Sequence, residues 1–255
     1  MVVIYSAISR PTFMCKWETV LASYKHVTPL TRENCKFLIV DSAFNDESIT
    51  NEMLIEKGKE VNADVLVPKD YVGDCQRTVE SVKQFFTLNW EKDVLIPLQQ
   101  PYEKCFAELR EYGHWFGLGG LVHNKNKIQL MEDGIRMLVK AGKRVHLFGI
   151  NPTGKVFQFI REHHSEIHSL DTAKPEFAAI TGKVLNVTGQ WVHFPRLMGD
   201  GLGLVKGAMA TLTLQVLDHI TNFNGKVAGR SRRSNHLTFG NTKKKQIGVQ
   251  SKLWV

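Results

Sequence analysis

"IHSLDTA", residues 167–173, ends a short apolar run on the acidic residue Asp171. A carboxylate at the end of an apolar strand is costly to bury unless a partner or a reaction uses it. Six further short runs rich in Val, Ile and Leu recur along the chain: "VVIYSAI" (2–8), "KFLIVDSA" (36–43), "DVLVPKD" (64–70), "VLIPLQ" (94–99), "WFGLGGL" (115–121) and "RVHLFGI" (144–150). Each run is too short for a helix, so the pattern predicts seven buried strands.

Stretches with helical spacing of apolar residues separate these strands, as in 75–89 and 127–142. The residues that we assign to one helix face are Val79, Val82, Phe85 and Phe86 in the first stretch, and Met131, Ile135, Leu138 and Val139 in the second. Gly142 is predicted to end the second helix just before the next strand.

Alternating strands and helices with nearly all-apolar strands require a parallel sheet covered by helices. A doubly wound sheet and a closed (β/α)8 TIM-type barrel both satisfy this pattern. We favour the α/β barrel because polar residues and glycines collect where the strands end: Asp41, Asp70, Gln99, Gly119, Gly120 and Asp171. In a barrel these ends converge on one mouth. The candidate for the eighth strand is "GKVLNV" (182–187).

Length and charge divide the chain into two parts. A chain of 255 residues that is 43% hydrophobic can bury one large core, which we assign to residues 1–221. Residues 222–255 contain eight Lys and Arg and no Asp or Glu, and this accounts for the whole net charge of +8. We predict that this basic C-terminal segment contacts a nucleic-acid backbone through Arg230, Arg232, Arg233, Lys243, Lys244 and Lys245. A solvated tail without function is the alternative.

The four cysteines, Cys15, Cys35, Cys75 and Cys105, lack the spacing of a disulfide framework or of a zinc site. The amino terminus has no basic leader, and no stretch approaches the ~20 apolar residues of a membrane span. We therefore expect a cytoplasmic protein, in the host cytoplasm if a phage encodes it, with no metal and no membrane association.

Three carboxylates around one barrel mouth could share the roles of a catalytic site. Like charges close together raise at least one pKa, so one acid can hold a proton while another stays ionised. That division of roles suits double displacement at an anomeric carbon. For any single Asp, capping of the next helix or pairing with a lysine such as Lys69 is the simpler interpretation.

Six motifs, taken in order over residues 36–175, resemble the guanine transglycosylases, which exchange guanine in tRNA for a 7-deazaguanine base. "FLIVDSAFND" is similar to the family's strand that ends in the general acid/base, which implies that role for Asp41. "IHSLDTA" resembles the strand that carries the nucleophile, so Asp171 is implied to attack C1′ of the sugar.

The other four motifs resemble base-binding segments of that family. "ADVLVPKD" implies that Asp70 holds the guanine edge, and "LIPLQQPYEKCFAEL" implies that Gln99, with Gln100 as the alternative, meets the base carbonyl. "WFGLGGLV" is similar to a loop whose backbone amides bind the base, which implies Gly119 and Gly120. In "RVHLFGI", Phe148 stands where the family stacks a Met on the base.

The departures from the family pattern indicate a DNA-modifying paralogue. The chain has no CxCxxC…His zinc motif, and Ser42 and Ala43 replace the Gly-Gly that follows the acid/base Asp. The chain has the pocket motifs but lacks the elements that accompany tRNA docking. In this it resembles the family's phage and bacterial paralogues, which insert a 7-deazaguanine, such as 7-cyano-7-deazaguanine, into DNA and so protect it from restriction nucleases. The resemblance implies DNA and the free 7-deazaguanine base as partners, with no cofactor, and leaves a helper protein or a homo-oligomer open. The alternatives are a tRNA-guanine transglycosylase, or a non-catalytic nucleic-acid-binding partner of such an enzyme.

Overall fold

The computed structural model describes residues 1–7, 16–122, 124–151, 154–186, 190–197 and 203–222, which lie in one compact unit, Met1–Phe223. Within them, nine strands form a single parallel sheet. The strands are β1 (Val2–Ala7), β2 (Trp17–Ser23), β3 (Cys35–Asp41), β4 (Val65–Val67), β5 (Asp93–Val94), β6 (Ile96–Leu98), β7 (Trp115–Leu118), β8 (Arg144–Leu147) and β9 (Ser169–Thr172). Their order in the sheet is β5-β4-β3-β2-β1-β9-β8-β7-β6.

The sheet forms a nearly closed ring because its two edge strands belong to one stretch of chain. Only Leu95 separates β5, which pairs with β4, from β6, which pairs with β7. The Leu95 amide also donates a hydrogen bond to the Leu66 carbonyl of β4, at 3.0 Å. With β5 and β6 taken as one interrupted strand, the ring has eight parallel members. The predicted α/β class is confirmed, and the sheet is compatible with a TIM-type barrel.

One barrel strand was missed, and one predicted strand lies elsewhere. β2, "WETVLAS", belongs to the ring between β1 and β3, although exposed Glu18 interrupts its apolar pattern. The prediction that 182–187 supplies the eighth barrel strand is wrong. There, β10 (Lys183–Leu185) pairs antiparallel with β11 (Trp191–His193) in a separate two-stranded sheet. The buried Val184 and Leu185 that suggested a barrel strand pack beside the last helix instead.

Helices follow most of the strands and cover the ring. They are α1 (Pro29–Glu33), α2 (Asn51–Glu60), α3 (Cys75–Phe85), α4 (Tyr102–Leu109), α5 (Lys127–Lys140), α6 (Gly154–Glu162), α7 (Lys174–Ile180) and α8 (Gly203–Asn222). Among the described residues, no helix combines the length and apolar character needed to cross a membrane.

The predicted faces of α3 and α5 are largely confirmed. Every α3 residue that we assigned to the apolar face is buried except Phe86, which follows the helix and is partly buried. On α5 the prediction for Val139 is wrong: this residue is 43% exposed, because it lies one position past buried Leu138 and turns away from the sheet. Gly142 adopts a left-handed φ of +67° after the α5 cap, which confirms the predicted end of this helix.

Side chains fill the ring from inside, and they change character along its axis. Ile4, Leu21, Ile39, Val65 and Leu95 form one apolar cluster with Trp115 and neighbouring residues. Toward the carboxyl ends of the strands, acids, an amide and glycines replace these apolar side chains. The ring is therefore a packed core with a polar mouth.

Candidate active site

A cavity of about 450 Å³ opens at the carboxyl ends of the strands. All seven pocket residues predicted from the sequence line it: Asp41, Asp70, Gln99, Gly119, Gly120, Phe148 and Asp171. They come from six separate segments, and the ring brings their strand ends to one place.

Asp171 lies in β9 and is 3% exposed. Its Oδ1 accepts a hydrogen bond from the Gly149 amide at 2.8 Å and lies 3.2 Å from Nε2 of His146. Gly149 has a φ of +62°, a conformation that glycine adopts at little cost and that turns its amide toward the carboxylate. The carboxylate is therefore held by a donor from a neighbouring loop and lies next to an imidazole.

His146 is completely buried inside the ring, on β8, and we did not predict it. Its Nδ1 lies 2.9 Å from Oγ of Ser169, which faces it across β8 and β9. One assignment satisfies all three groups: the serine hydroxyl donates to Nδ1, and Nε2–H donates to Asp171. Although these residues form a Ser-His-Asp set, Ser169 is 1% exposed and does not line the cavity, so it is not placed to attack a substrate.

The signal for His146 was present in the sequence. Alternate residues of a strand point to the same face, so Ser169 and Asp171 share one face of β9, and His146 and Phe148 share one face at β8. A polar residue between apolar neighbours on an inward face needs a partner. Gly149 carried a weaker signal, because its contact with Asp171 depends on a backbone conformation that is not evident from composition.

Asp41 ends β3 and is partly buried at the cavity wall. Its Oδ1 accepts a hydrogen bond from the Ser42 amide at 2.7 Å. Burial, followed by the nearby charges of Asp70 and Asp171, raises the pKa of Asp41 from 3.8 to about 7. This carboxyl group can therefore both give and take a proton near neutral pH.

Asp70 and Gln99 form a buried pair that also lines the cavity. Nε2 of Gln99 donates to Oδ2 of Asp70 at 2.6 Å, and Oε1 of Gln99 accepts from the Gly73 amide at 3.1 Å. These contacts fix the orientation of the Gln99 amide, with its nitrogen toward Asp70. Burial raises the pKa of Asp70, and the hydrogen bond from Gln99 opposes that shift.

Lys69, the alternative partner for the acids, does not pair with them. Its Nζ donates to the carbonyls of Asp46 at 2.7 Å, Ala43 at 3.2 Å and Phe44 at 3.4 Å. Burial lowers the pKa of this lysine. Lys69 thus anchors the loop after β3, and no ion pair neutralises Asp41 or Asp70 within the described residues.

The loop after β3 contains a left-handed residue that is not a glycine. Ala43 has a φ of +56°, in the left-handed region that favours glycine. Ala43 therefore holds this turn at a conformational cost that a glycine, which the resemblance leads us to expect in this loop, would not carry.

The two glycines after β7 differ in the contacts of their backbone amides. The Gly119 amide donates to the Leu98 carbonyl at 2.9 Å and so is already used within the sheet. A Cβ on Gly119 would come within 2.4 Å of Nε2 of Gln99, which explains why glycine is needed there. Because the Gly119 amide is already used, we now expect only the Gly120 amide to bind a base. Gly120 adopts a φ of +70°.

Phe148 forms an aromatic wall of the cavity, and Gly117 makes room for it. A Cβ on Gly117 would lie 2.1 Å from the Phe148 ring. The ring also meets the edge of His146 at 4.6 Å between centroids. Three apolar side chains, Phe44, Val72 and Val122, line the cavity and are about half exposed. A flat, partly apolar ligand suits this lining.

The other predicted contacts lie beyond what the structure describes. Arg230, Arg232, Arg233, Lys243, Lys244 and Lys245 fall outside the described residues, so their contact with a nucleic-acid backbone stays a prediction. In the described part of the chain, no group of three or more His, Cys, Asp or Glu side chains is arranged to hold a metal ion. Comparison with models of protein families and with curated proteins finds no match to this chain.

Proposed function

We propose that this protein is a guanine transglycosylase that exchanges guanine in DNA for a 7-deazaguanine base and so shields the DNA from restriction. One observation carries the proposal: seven residues from six motifs, in the order that the family has them, line one cavity. Strand ends meet at the mouth of any such barrel, so the support lies in which residue types meet there: three carboxylates, one amide, two glycines and an aromatic ring, as the family's motifs imply.

Recognition of guanine is assigned to Asp70, Gln99 and Phe148. The Watson–Crick edge of guanine presents N–H donors beside the O6 acceptor. Asp70 is an acceptor for the donors, and the fixed Nε2 of Gln99 is a donor for O6. Phe148 offers a flat face on which the base stacks. The Asp70–Gln99 pair therefore offers an acceptor for the N–H donors of guanine and a donor for its O6.

The chemistry runs in two balanced halves. In the first, an oxygen of Asp171 forms a bond to C1′, the C1′–N9 bond breaks with its electron pair moving to guanine, and Asp41 protonates the leaving base. In the second, Asp41 takes the proton from N9 of the incoming 7-deazaguanine, N9 bonds to C1′, and Asp171 leaves as a carboxylate. With a pKa of about 7, Asp41 suits both directions of proton transfer.

DNA is proposed as the substrate on the strength of the sequence. The chain lacks the CxCxxC…His pattern that accompanies tRNA docking in the family, and its excess positive charge lies in residues 222–255. A target guanine must leave the base stack to enter the cavity, at a cost of a few kcal/mol. Contacts between a basic segment and phosphates help to offset this cost and make the affinity depend on salt.

Base exchange tests the proposal. Purified protein is incubated with labelled guanine and either DNA or tRNA, with Asp171→Ala in parallel. We expect label in DNA, none in tRNA, and none with the variant. Label in tRNA alone would favour the tRNA enzyme, and no label in either would favour a non-catalytic nucleic-acid-binding partner.

A further inference from the structure

We propose that His146 is a positioning residue for Asp171: its Nε2–H holds Oδ1 of the carboxylate and leaves Oδ2 as the oxygen that attacks C1′. This inference rests on the proposed function and assigns the reactive atom of that same site.

The contacts to Asp171 are one-sided. Its Oδ1 receives the Gly149 amide at 2.8 Å and lies 3.2 Å from Nε2 of His146, and both contacts fall on that oxygen. A carboxylate held through one oxygen has a fixed plane, and its other oxygen takes a fixed direction. Because Asp171 lines the cavity, Oδ2 is the oxygen available to a substrate.

His146 is itself held from its other side. Nδ1 lies 2.9 Å from Oγ of Ser169, directly across the β8–β9 pair. The ring packs edge-on against Phe148 at 4.6 Å and Trp115 at 6.4 Å between centroids. Since the imidazole is fully buried, rotation would leave its nitrogens without these partners. The ionised carboxylate of Asp171 can only accept, which favours the tautomer with the proton on Nε2, and the Ser169 hydroxyl can then donate to Nδ1.

The same hydrogen bond serves both halves of the exchange. When Oδ2 bonds to C1′, Oδ1 becomes the ester carbonyl and continues to accept from Nε2–H. When the incoming base displaces the ester, the charge that returns to Asp171 meets the same donor. No proton passes through His146 in either half, so the residue acts only through Asp171.

Three variants separate positioning from filling of space. His146→Phe keeps an aromatic ring without a donor, and His146→Gln keeps an N–H donor. His168→Phe is the matched control. His168 precedes β9 and packs against the same Trp115 ring, with 5.5 Å between the ring centroids, but it does not line the cavity. The readouts are the rate at which a covalent protein–DNA adduct forms in single turnover, the dissociation constant of guanine, and the melting temperature.

We expect His146→Phe to slow adduct formation on the order of 100-fold while guanine affinity changes little, because a displacement of about 1 Å at the nucleophile costs that much. His146→Gln should recover most of the rate, and His168→Phe should retain it. Equal losses in His146→Phe and His146→Gln, or a full rate in His146→Phe, would overturn the proposal.

A second measurement does not depend on activity. Nitrogen-15 chemical shifts of His146 should show a protonated Nε2 and an unprotonated Nδ1, and Asp171→Ala should shift the Nε2 signal. A protonated Nδ1 would overturn the proposal even in an active enzyme. If the wild type neither exchanges guanine nor forms an adduct, the proposed function fails, and the shifts alone decide whether His146 donates to Asp171.

Discussion

Asp41 and Asp171 are the same residue type in one cavity, and their surroundings differ. Asp171 is 3% exposed, held by the Gly149 amide and next to a buried imidazole. Asp41 receives the Ser42 amide, and burial together with the charges of Asp70 and Asp171 raises its pKa to about 7. One carboxylate is fixed in place, and the other can change its protonation state near neutral pH. The comparison teaches that the surroundings of two identical side chains, and not the residue type, decide which of them can exchange a proton near neutral pH.

Loss of the proton-transferring carboxyl group of Asp41 should have the largest effect on base exchange. Asp41→Asn keeps an acceptor for the Ser42 amide but cannot transfer a proton. We expect base exchange to fall by about 10²- to 10⁴-fold, as measured by the incorporation of labelled guanine into DNA. Glu47→Gln is the control, since this exposed acid lies in the same loop and its side chain is 74% exposed. A variant Asp41→Asn with the rate of the control would remove the distinction between the two acids.

The same variant should change how stability depends on pH. The folded-state pKa of about 7 exceeds the ordinary value of 3.8, so the folded protein binds the proton of Asp41 more tightly. This contribution to stability is present in full below pH ~4 and is lost as the pH rises through ~7. Urea unfolding at pH 5 and pH 8 should therefore show that Asp41→Asn gains on the order of 2 kcal/mol relative to the wild type over that interval. An equal difference between the two proteins at both pH values would contradict the raised pKa.

The aromatic wall beside Asp171 can be tested through Gly117. Gly117→Ala places a Cβ 2.1 Å from the Phe148 ring, so the ring or the strand must move. We expect a loss of about 1–3 kcal/mol in the free energy of unfolding and weaker binding of guanine, measured by urea denaturation and calorimetry. Adding Phe148→Leu should restore stability but not affinity. Restored affinity would mean that Phe148 does not contact the base.

The loop beside Asp41 should give the smallest effect. Ala43→Gly removes a side chain from a left-handed residue with a φ of +56°, and we expect a gain of about 1 kcal/mol in the free energy of unfolding. Asn62→Gly is the control, because Asn62 is also left-handed, with a φ of +51°, and asparagine tolerates that region better than alanine. A gain no larger than that of Asn62→Gly would show that the turn after Asp41 carries no extra strain.

Much of the fold was predictable because a buried parallel strand is apolar along its whole length. That rule located seven strands and therefore the strand ends that carry the pocket. It missed β2, where Glu18 is exposed to solvent, and it misassigned 182–187, where the buried Val184 and Leu185 pack beside a helix. Pairing partners depend on the closed ring and cannot be read from a single run.

The pocket residues were predictable because each stands at a strand end within a motif. The contacts of the residues that support them were not, even though the alternation along a strand places His146 on the inward face. His146 holds its place through Ser169 on another strand, Gly149 through its backbone conformation, and Gly117 through the space that it leaves for Phe148. These roles arise from contacts between segments that are distant in the sequence.

The most direct test of the account is to locate the covalent bond. The protein is incubated with DNA and without an acceptor base, denatured in acid and digested with protease, and mass spectrometry maps the residue that carries the deoxyribosyl group. The account predicts an adduct on Asp171 that is absent in Asp171→Asn. An adduct on Asp41 or Asp70, or exchange of guanine with no adduct at all, would contradict it.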